Sequence, residues 1–265
     1  MARYVFDNVA DVAVDRMVCL ETSFDPVTRK RLADVGVGPG WRCLEIGAGG
    51  GSVARWLGER VGPAGSVLAT DINPRLIKDM PSNVDVRVHD IVADELPADE
   101  FDLVHARLVL LHLPQRTRAL ERVLHTLKPG GALVLDEFDC TYIPVLAAPD
   151  EASRTLFARG VDAVHGLLTE AGADIAWGRN AHAAMVAAGF VDLNFASWSR
   201  AWVGGSIGAA LHEVNIRQVG DQLLDRNLIS ATEFDAFLEL VASPDFTVAS
   251  YPLQTTWGRK PLARR

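Results

Sequence analysis

The residues best suited to chemistry lie between Cys43 and Pro74. A predicted strand leads through Glu45 into the sequence Gly-Ala-Gly-Gly-Gly at residues 47–51, and a predicted helix follows directly. Glycine lets a backbone turn tightly and approach a ligand closely, and a helix N-terminus offers unpaired N–H groups. A second predicted strand ends in Asp71, a carboxylate suited to accept hydrogen bonds from ribose hydroxyls. The spacing therefore predicts a site for a nucleoside-containing ligand.

The glycine spacing alone fits a dinucleotide-binding enzyme as well as an enzyme that binds another nucleoside-containing cofactor. The dinucleotide fingerprint G-x-G-x-x-G/A fails when it is counted from the first glycine of the loop, but its alanine variant fits Gly49, Gly51 and Ala54. A nicotinamide-dependent oxidoreductase therefore stays open as an interpretation. Glu45 points the other way, because a dinucleotide site has no use for a carboxylate two residues before its first glycine.

Later motifs add to this signal. The sequence Val-His-Asp-Ile at residues 88–91 supplies another acid followed by an apolar residue, which suits the amino group and the face of an adenine ring. Phe-Asp-Leu-Val-His-Ala-Arg follows at 101–107, and Leu-Lys-Pro-Gly-Gly at 127–131. These segments favour an enzyme that binds a nucleoside-containing cofactor other than a dinucleotide.

Taken in order with Leu-Glu-Ile-Gly-Ala-Gly-Gly-Gly at 44–51 and Ala-Thr-Asp-Ile at 69–72, the motifs resemble class I S-adenosylmethionine-dependent methyltransferases. Within that class the chain looks most like small-molecule enzymes of the ubiquinone/menaquinone-biosynthesis type and their actinobacterial natural-product relatives. The resemblance covers roughly residues 38–140. It implies S-adenosyl-L-methionine as the cofactor.

The resemblance also implies which residues bind the cofactor. They are Tyr4, Glu45, Gly47, Ala48, Gly49, Asp71, Ile72, Asp90, Ile91, His105, Ala106 and Arg107. The glycine loop would cradle the methionine and ribose portions, and Asp71 would take the ribose hydroxyls. Asp90 would accept from the adenine amino group, with Ile72 and Ile91 packing at the ring.

The remaining implied roles concern the methionyl end of the cofactor. The carbonyl groups of His105 and Ala106 would meet its amino group. Glu45 would order this region through water or backbone. Arg107 and Tyr4 would contact the carboxylate side.

The elements that must position these residues alternate between strand and helix. The predicted strands are 42–46, 66–72, 84–89, 101–105, 132–135, 191–200 and 247–257. The first predicted helix lies at the N-terminus and breaks at 24–26, and a short helix follows at 29–35. The later predicted helices are 53–61, 74–80, 114–127, 152–171, 180–188, 206–225 and 231–241. Apolar strands that alternate with helices in this way are typical of a parallel sheet covered on both faces.

The resemblance implies an α/β fold with a Rossmann-like, seven-stranded, mostly parallel sheet, whose last strand is antiparallel, with helices on both faces and a helical cap. We expect an N-terminal helical lid at 1–37 and a cofactor-binding core at 38–140. Residues 141–265 would supply strands six and seven, with cap insertions near 141–175 and 203–245. Open α/β sheets bind ligands outside the carboxyl ends of their strands.

Candidate catalytic residues are His105, His112 and Glu137, since a base helps when the methyl acceptor is a phenol, an amine or an acidic carbon. A metal is not predicted, because the acidic cluster at 136–139 has no second carboxylate/asparagine pair in a matching place. A helical cap rich in large apolar residues favours a small, partly aromatic or hydrophobic acceptor. A methyltransferase-fold protein without transfer activity stays open as a third interpretation.

Composition narrows the classes of partner. The net charge of −8 and the pI near 5.4 argue against a nucleic-acid binder. The three cysteines, Cys19, Cys43 and Cys140, are far apart and suggest neither disulfides nor zinc. Neither a signal peptide nor a membrane span is expected, so the sequence predicts a cytoplasmic protein whose N-terminal helices could exchange across a homodimer.

Overall fold

The computed structural model describes residues 5–6 and 12–263 of the chain. Its helices are α1 (Val12–Val35), α2 (Ser52–Val61), α3 (Arg116–Thr126), α4 (Glu151–Glu170), α5 (Trp177–Ala188), α6 (Ala210–Gln218), α7 (Gly220–Asp225) and α8 (Ala231–Ala242). Its strands are β1 (Arg42–Ile46), β2 (Ser66–Asp71), β3 (Val84–Val88), β4 (Phe101–Arg107), β5 (Leu127–Phe138), β6 (Val145–Ala147), β7 (Val191–Trp198), β8 (Ala201–Val203), β9 (Thr247–Ala249) and β10 (Leu253–Arg259). Short 3₁₀ turns lie at Pro74–Leu76 and Leu110–His112.

The chain divides into two compact units. The sheet unit comprises the described residues of 25–139, 176–197 and 253–265, and the helical unit comprises those of 1–24, 140–175 and 198–252. The first division falls at Phe24, inside α1. The lid at 1–37, the core at 38–140 and the cap insertions stay predictions.

The larger sheet has seven strands in the order β3-β2-β1-β4-β5-β10-β7. The pairs from β3 through β5 are parallel, and β10 runs antiparallel to β5. The predicted fold class is therefore confirmed. The connection after β1 leads to β2 on one side of the pair β1–β4, and the connection after β4 leads to β5 on the other side. The gap between β1 and β4 is therefore a topological switch point.

A dry core holds this sheet to the helix that follows the glycine loop. Val53, Leu57 and Val61 lie at helical spacing on α2 and are almost fully buried. They belong to one cluster of buried side chains with Val67 on β2 and Leu103 on β4. Because burial of one such side chain stabilises by roughly 1.5–3 kcal/mol, this cluster fixes the start of α2 against the ends of the strands.

The predicted helix break at Pro26 is wrong, because α1 continues through this proline to Val35. A proline inside a helix removes one backbone hydrogen bond and disfavours the preceding helical turn, at a cost of about 3 kcal/mol. Buried side chains on both sides of Pro26, among them Leu20 and Leu32, offset that cost. The ring itself lies on the exposed side of the helix.

The predicted last strand, 247–257, is two strands. β9 and β10 are separated at 250–252 and belong to different sheets, because Pro252 has no N–H to continue a ladder. β9 lies between β6 and β8 in a three-stranded antiparallel sheet that was not predicted. Strands of three residues are too short to show a period-2 pattern.

Three smaller predictions also differ. The predicted helix 74–80 is only a 3₁₀ turn at Pro74–Leu76. The predicted helix 206–225 is divided into α6 and α7 at Val219. β5 begins at Leu127, directly after α3, although a strand was predicted only from residue 132.

Aromatic side chains form the centre of the helical unit. The Phe157 ring on α4 stacks on the Phe237 ring on α8, with centroids 5.7 Å apart, and meets Phe246 at 5.1 Å. In the part of the chain that the structure describes, no helix is long and apolar enough to cross a membrane. The same residues include no group of histidines, cysteines and acids arranged to hold a metal.

Candidate active site

The predicted cofactor residues of the sheet unit lie at one edge of the sheet. Ile46, the last residue of β1, is paired with Thr70 on β2 and with Ala106 on β4. Asp71 is paired in turn with Val88, the last residue of β3. The carboxyl ends of four parallel strands therefore meet at this edge, at the switch point where open α/β sheets bind ligands.

The glycine loop leaves β1 through left-handed backbone conformations. The φ angles are +66° at Gly47, +58° at Gly49 and +85° at Gly51, which residues with a Cβ adopt only under strain. A Cβ on Gly47 would overlap the Val109 side chain, and one on Gly51 would overlap Met80. The loop is thus built for glycine both by its conformation and by its close neighbours.

Asp71 ties this loop to the end of β2. Its carboxylate accepts hydrogen bonds from the N–H groups of Gly49 (3.0 Å) and Asn73 (2.9 Å). The side chain is 6% exposed, and burial raises its pKa although these bonds act in the opposite direction. A carboxylate has about four acceptor positions, so these bonds leave acceptor capacity for a ligand.

The second acidic tip lies beside the first. The N–H of His89 donates to the carbonyl oxygen of Asp71 at 3.0 Å, which joins the ends of β2 and β3. Asp90 is half-buried, and its carboxylate accepts from the N–H of Val92 at 2.8 Å. Ile72 is 59% exposed and Ile91 is buried. An exposed apolar side chain next to two acids suits the face of an adenine ring.

Glu45 does not point into open space but binds a histidine. His105 Nδ1 lies 2.7 Å from Glu45 Oε2, and His105 Nε2 lies 3.4 Å from Asp136 Oδ2. All three side chains are buried. We call Glu45, His105 and Asp136 the buried clamp, since it joins β1, β4 and β5 at their carboxyl ends.

Electrostatics keep the clamp charged. Burial by itself lowers the pKa of His105, but the Glu45 carboxylate and the hydrogen bonds to both acids outweigh it and raise this pKa to about 9. Burial favours the neutral form of Asp136, yet hydrogen bonds from His105, Thr255 and Thr28 hold its pKa below the usual range. The buried imidazolium therefore lies between two carboxylates at neutral pH.

Three further residues from outside the predicted set extend these contacts. Thr28 on α1 donates to Asp136 at 2.6 Å, and Thr255 on β10 donates to it at 2.5 Å. Asp25 accepts from Arg107 Nη1 at 2.9 Å. The sequence analysis missed these contacts because the two residues of each pair are about 80 to 120 positions apart and share no motif.

Arg107 is thus engaged within the sheet unit. Besides Asp25, which also accepts from Ser52 Oγ at 3.0 Å, its guanidinium lies 3.4 Å from Thr28 Oγ1. Its role at the cofactor carboxylate stays a prediction. Tyr4, the other residue predicted there, lies outside the described residues.

The predicted catalytic residues differ in their surroundings. His105 is fully buried with both ring nitrogens engaged, so it has no free lone pair for an acceptor's proton. Glu137 is also fully buried, and it accepts from the N–H of Leu110 at 2.8 Å. Burial raises the pKa of Glu137 to about 8, which favours its protonated form at neutral pH. His112 is half-buried at the end of its 3₁₀ turn.

The fold and the edge define a class of protein. A putative methyltransferase of Bacillus halodurans (BH2331) shares the fold, with a TM-score of 0.57 and 16% identity over 88% of this chain and 98% of that one. Residues 44–133 match the family model of the methyltransferase domain. Residues 44–133 are therefore similar to a methyltransferase domain, within a fold that a methyltransferase-like structure shares.

Two curated relatives are similar over the same region. Methyltransferase str3 of Strobilurus tenacellus is 36% identical over 110 residues, which are 41% of this chain and 39% of the relative. The ubiquinone/menaquinone biosynthesis C-methyltransferase UbiE of Laribacter hongkongensis is 33% identical over 121 residues, 43% of this chain and 50% of the relative. The chain thus spans half or less of the length of these relatives.

Proposed function

We propose that the protein transfers the methyl group of S-adenosylmethionine to a small, partly aromatic or hydrophobic acceptor. The observation that carries this proposal is the meeting of the glycine loop, Asp71 and Asp90 at one carboxyl edge of the sheet. A sulfonium cofactor of this kind needs a cradle for its ribose, its adenine and its amino acid end. Residues at this edge would supply these three types of contact.

The residues at the edge fit that cofactor. Asp71 would bind the ribose hydroxyls with its remaining acceptor capacity, and Asp90 would accept from the adenine amino group. The exposed side chain of Ile72 would cover the adenine face. The carbonyl groups of His105 and Ala106, at the end of β4, would take the methionyl amino group, while the buried clamp holds that strand end in place.

The sulfonium, when bound, supplies an activated methyl donor, so the protein's task is to orient the acceptor. Holding two reactants in near-attack geometry can supply roughly 7–11 kcal/mol of barrier lowering. His105 and Glu137 would serve as positioning residues, since one is a charged bridge and the other caps a backbone N–H. His112 stays the candidate base, because it is the half-buried one of the three.

A small acceptor is supported by the relatives and by charge. UbiE is named for the biosynthesis of ubiquinone and menaquinone, which are small molecules. The net charge of −8 disfavours a nucleic-acid acceptor, whose phosphates attract basic surfaces.

Calorimetry with S-adenosylhomocysteine tests the proposal. Asp71→Asn should weaken binding at least tenfold, since the amide replaces one acceptor oxygen by a donor. Asp85→Asn is the matched control, an acid on β3 that forms an exposed ion pair with Arg87. An absence of binding to the wild-type protein would overturn the proposal, and protection by NADH instead would favour an oxidoreductase.

Transfer itself requires a second assay. Protein incubated with methyl-labelled S-adenosylmethionine and a panel of phenols, quinols and aromatic amines should label at least one of them. Cofactor binding without labelling of any acceptor would identify the chain as a methyltransferase-fold protein without transfer activity.

A further inference from the structure

The two edges of the seven-stranded sheet differ in how they are protected. The strand order ends at β3 on one side and at β7 on the other. An edge strand presents unpaired backbone N–H and C=O groups, and proteins commonly protect such an edge with charged residues, prolines or a short strand. β3 fits this pattern, because it has five residues and its Asp85 and Arg87 form an exposed ion pair.

β7 lacks these protective features. It has eight residues, and its sequence contains no lysine, arginine or proline. Its one charged residue, Asp192, lies next to its start and has a φ angle of +53°, so the regular run of the strand is 193–197. Within the part of the chain that the structure describes, the strand order places only β10 beside β7. Five of its eight residues are exposed, so its outer side is open to solvent in the single chain.

Apolar side chains flank this open edge. Leu193 lies on the α5 side of the sheet, because a Cβ on Gly258 of β10 would meet both Leu193 (3.1 Å) and Met185 of α5 (3.4 Å). Phe195 lies on the same face, since strand side chains alternate. Phe195 is nevertheless 47% exposed, and Val186 near the end of α5 is 54% exposed. Large apolar side chains beside an open strand edge favour a partner that supplies both a strand and an apolar face.

The strand β7 of a second copy has these properties. In an antiparallel pair related by a two-fold axis, each residue faces its counterpart across the axis. With the axis at the centre of the regular run, the residues face one another in neutral pairs, which are Phe195 with Phe195, Leu193 with Ser197, and Asn194 with Ala196. Asp192 then lies opposite residue 198, so no like charges are directly opposed. The strand is therefore complementary to itself in charge.

Symmetry also favours this pairing over the alternative pairing of β7 with β3 of another copy. A two-fold pair closes on itself, whereas a β7–β3 pair would leave one free edge at each end and continue into a filament. The exposed charges of Asp85 and Arg87 on β3 would, in addition, lie against the uncharged run of β7.

We propose that β7 pairs antiparallel with β7 of a second copy of this chain, which joins the two seven-stranded sheets into one continuous sheet. Each copy supplies a ladder of backbone hydrogen bonds over residues 193–197 and the exposed apolar side chains of Phe195 and Val186. Both contributions are needed, because a stable interface buries about 1,200–2,000 Å² in total and a short ladder alone buries less. This dimer does not depend on the proposed methyl transfer.

Sedimentation velocity of the full chain tests whether the dimer forms. At about 50 μM, which would populate a dimer of micromolar Kd, the wild type should sediment with twice the monomer mass of 28.7 kDa. Phe195→Lys places a charge at the centre of the strand pair and should sediment as a monomer. Ile207→Lys is the matched control, because Ile207 is 44% exposed and lies outside both sheets, and it should stay dimeric. A monomeric wild type would overturn the proposal.

Disulfide crosslinking tests where the dimer forms. Directly opposed residues of an antiparallel pair have Cα atoms about 4.5–5.5 Å apart, which is within the range of a disulfide. Phe195→Cys should therefore give a disulfide-linked dimer on mild oxidation, whereas Asp85→Cys on β3 should not. The double variant Asn194→Cys, Ala196→Cys should crosslink as well and keeps Phe195. Cys19, Cys43 and Cys140 are buried, so the background should be low.

The two assays together decide the proposal. A dimer that persists in Phe195→Lys and gives no crosslink through β7 would place the interface elsewhere, for example in exchanged N-terminal helices, and would overturn it. The wild-type melting temperature should rise with protein concentration, because dimer formation stabilises the folded state by mass action, and that of Phe195→Lys should not. If Phe195→Lys fails to fold, crosslinking of the double variant decides, and its absence contradicts the proposal.

Discussion

Alkaline pH should weaken the protein through the buried clamp. His105 has a pKa of about 9 in the fold, against a reference value of 6.5. The difference of about 2.5 units, at about 1.36 kcal/mol per unit, corresponds to about 3 kcal/mol of unfolding free energy. Because the folded pKa is the higher one, this contribution is complete below pH 6.5 and is lost as the pH rises through 9.

The variant that isolates this effect is Glu45→Gln. Glutamine keeps the shape of the side chain but removes the carboxylate that lies 2.7 Å from the imidazole. Urea unfolding at pH 6.5 and at pH 9 should show a smaller pH-dependent loss of unfolding free energy in the variant than in the wild type. Glu137, whose raised pKa of about 8 gives a loss of the same sign, contributes equally to both proteins and cancels.

Nuclear magnetic resonance of histidine ring carbons gives the same quantity directly. The signal that disappears in His105→Gln should titrate near pH 9 in the wild type and at a lower pH in Glu45→Gln. A midpoint near 6.5 in the wild type, or identical pH dependence of unfolding in the two proteins, would refute a charged clamp.

Three further predictions concern separate parts of the chain. Gly51→Ala should destabilise the protein by about 1–3 kcal/mol in urea unfolding and weaken S-adenosylhomocysteine binding, because the φ angle of Gly51 is +85°. Gly166→Ala is the control: a Cβ there would meet open space, so this variant should be more stable by up to about 1 kcal/mol. Ser230→Ala should cost about 1 kcal/mol of unfolding free energy, since it removes the capping box of α8; an unchanged midpoint would contradict this role. Burial lowers the pKa of His165 to about 4, so its stabilisation holds above pH 6.5 and about 3 kcal/mol is lost as the pH falls to 4, a loss that His165→Gln should not show.

The residues at the carboxyl edge of the sheet could be predicted from the sequence because their signals are local. Apolar runs that end in Glu45 and Asp71, each next to turn residues, predict strand ends to within a residue, and parallel order brings such ends together. The capping box at Ser230 was likewise visible at a spacing of three residues.

The buried clamp could not be predicted from the sequence, because its residues come from three strands that only the sheet order brings together. Glu45 and His105 are 60 positions apart, and nothing in their neighbourhoods predicts an ion pair. Pro26 shows the reverse situation, in which a strong local signal is overridden by burial elsewhere on the same helix. Long-range contact, rather than local propensity, decided both cases.

A crystal structure with S-adenosylhomocysteine bound tests the central claim most directly. The account predicts that a ribose hydroxyl lies about 2.7–3.2 Å from an Asp71 carboxylate oxygen and that the adenine ring contacts Ile72 beside Asp90. Density for the ligand at any other edge of the sheet, with Asp71 bound only to the N–H groups of Gly49 and Asn73, would contradict it.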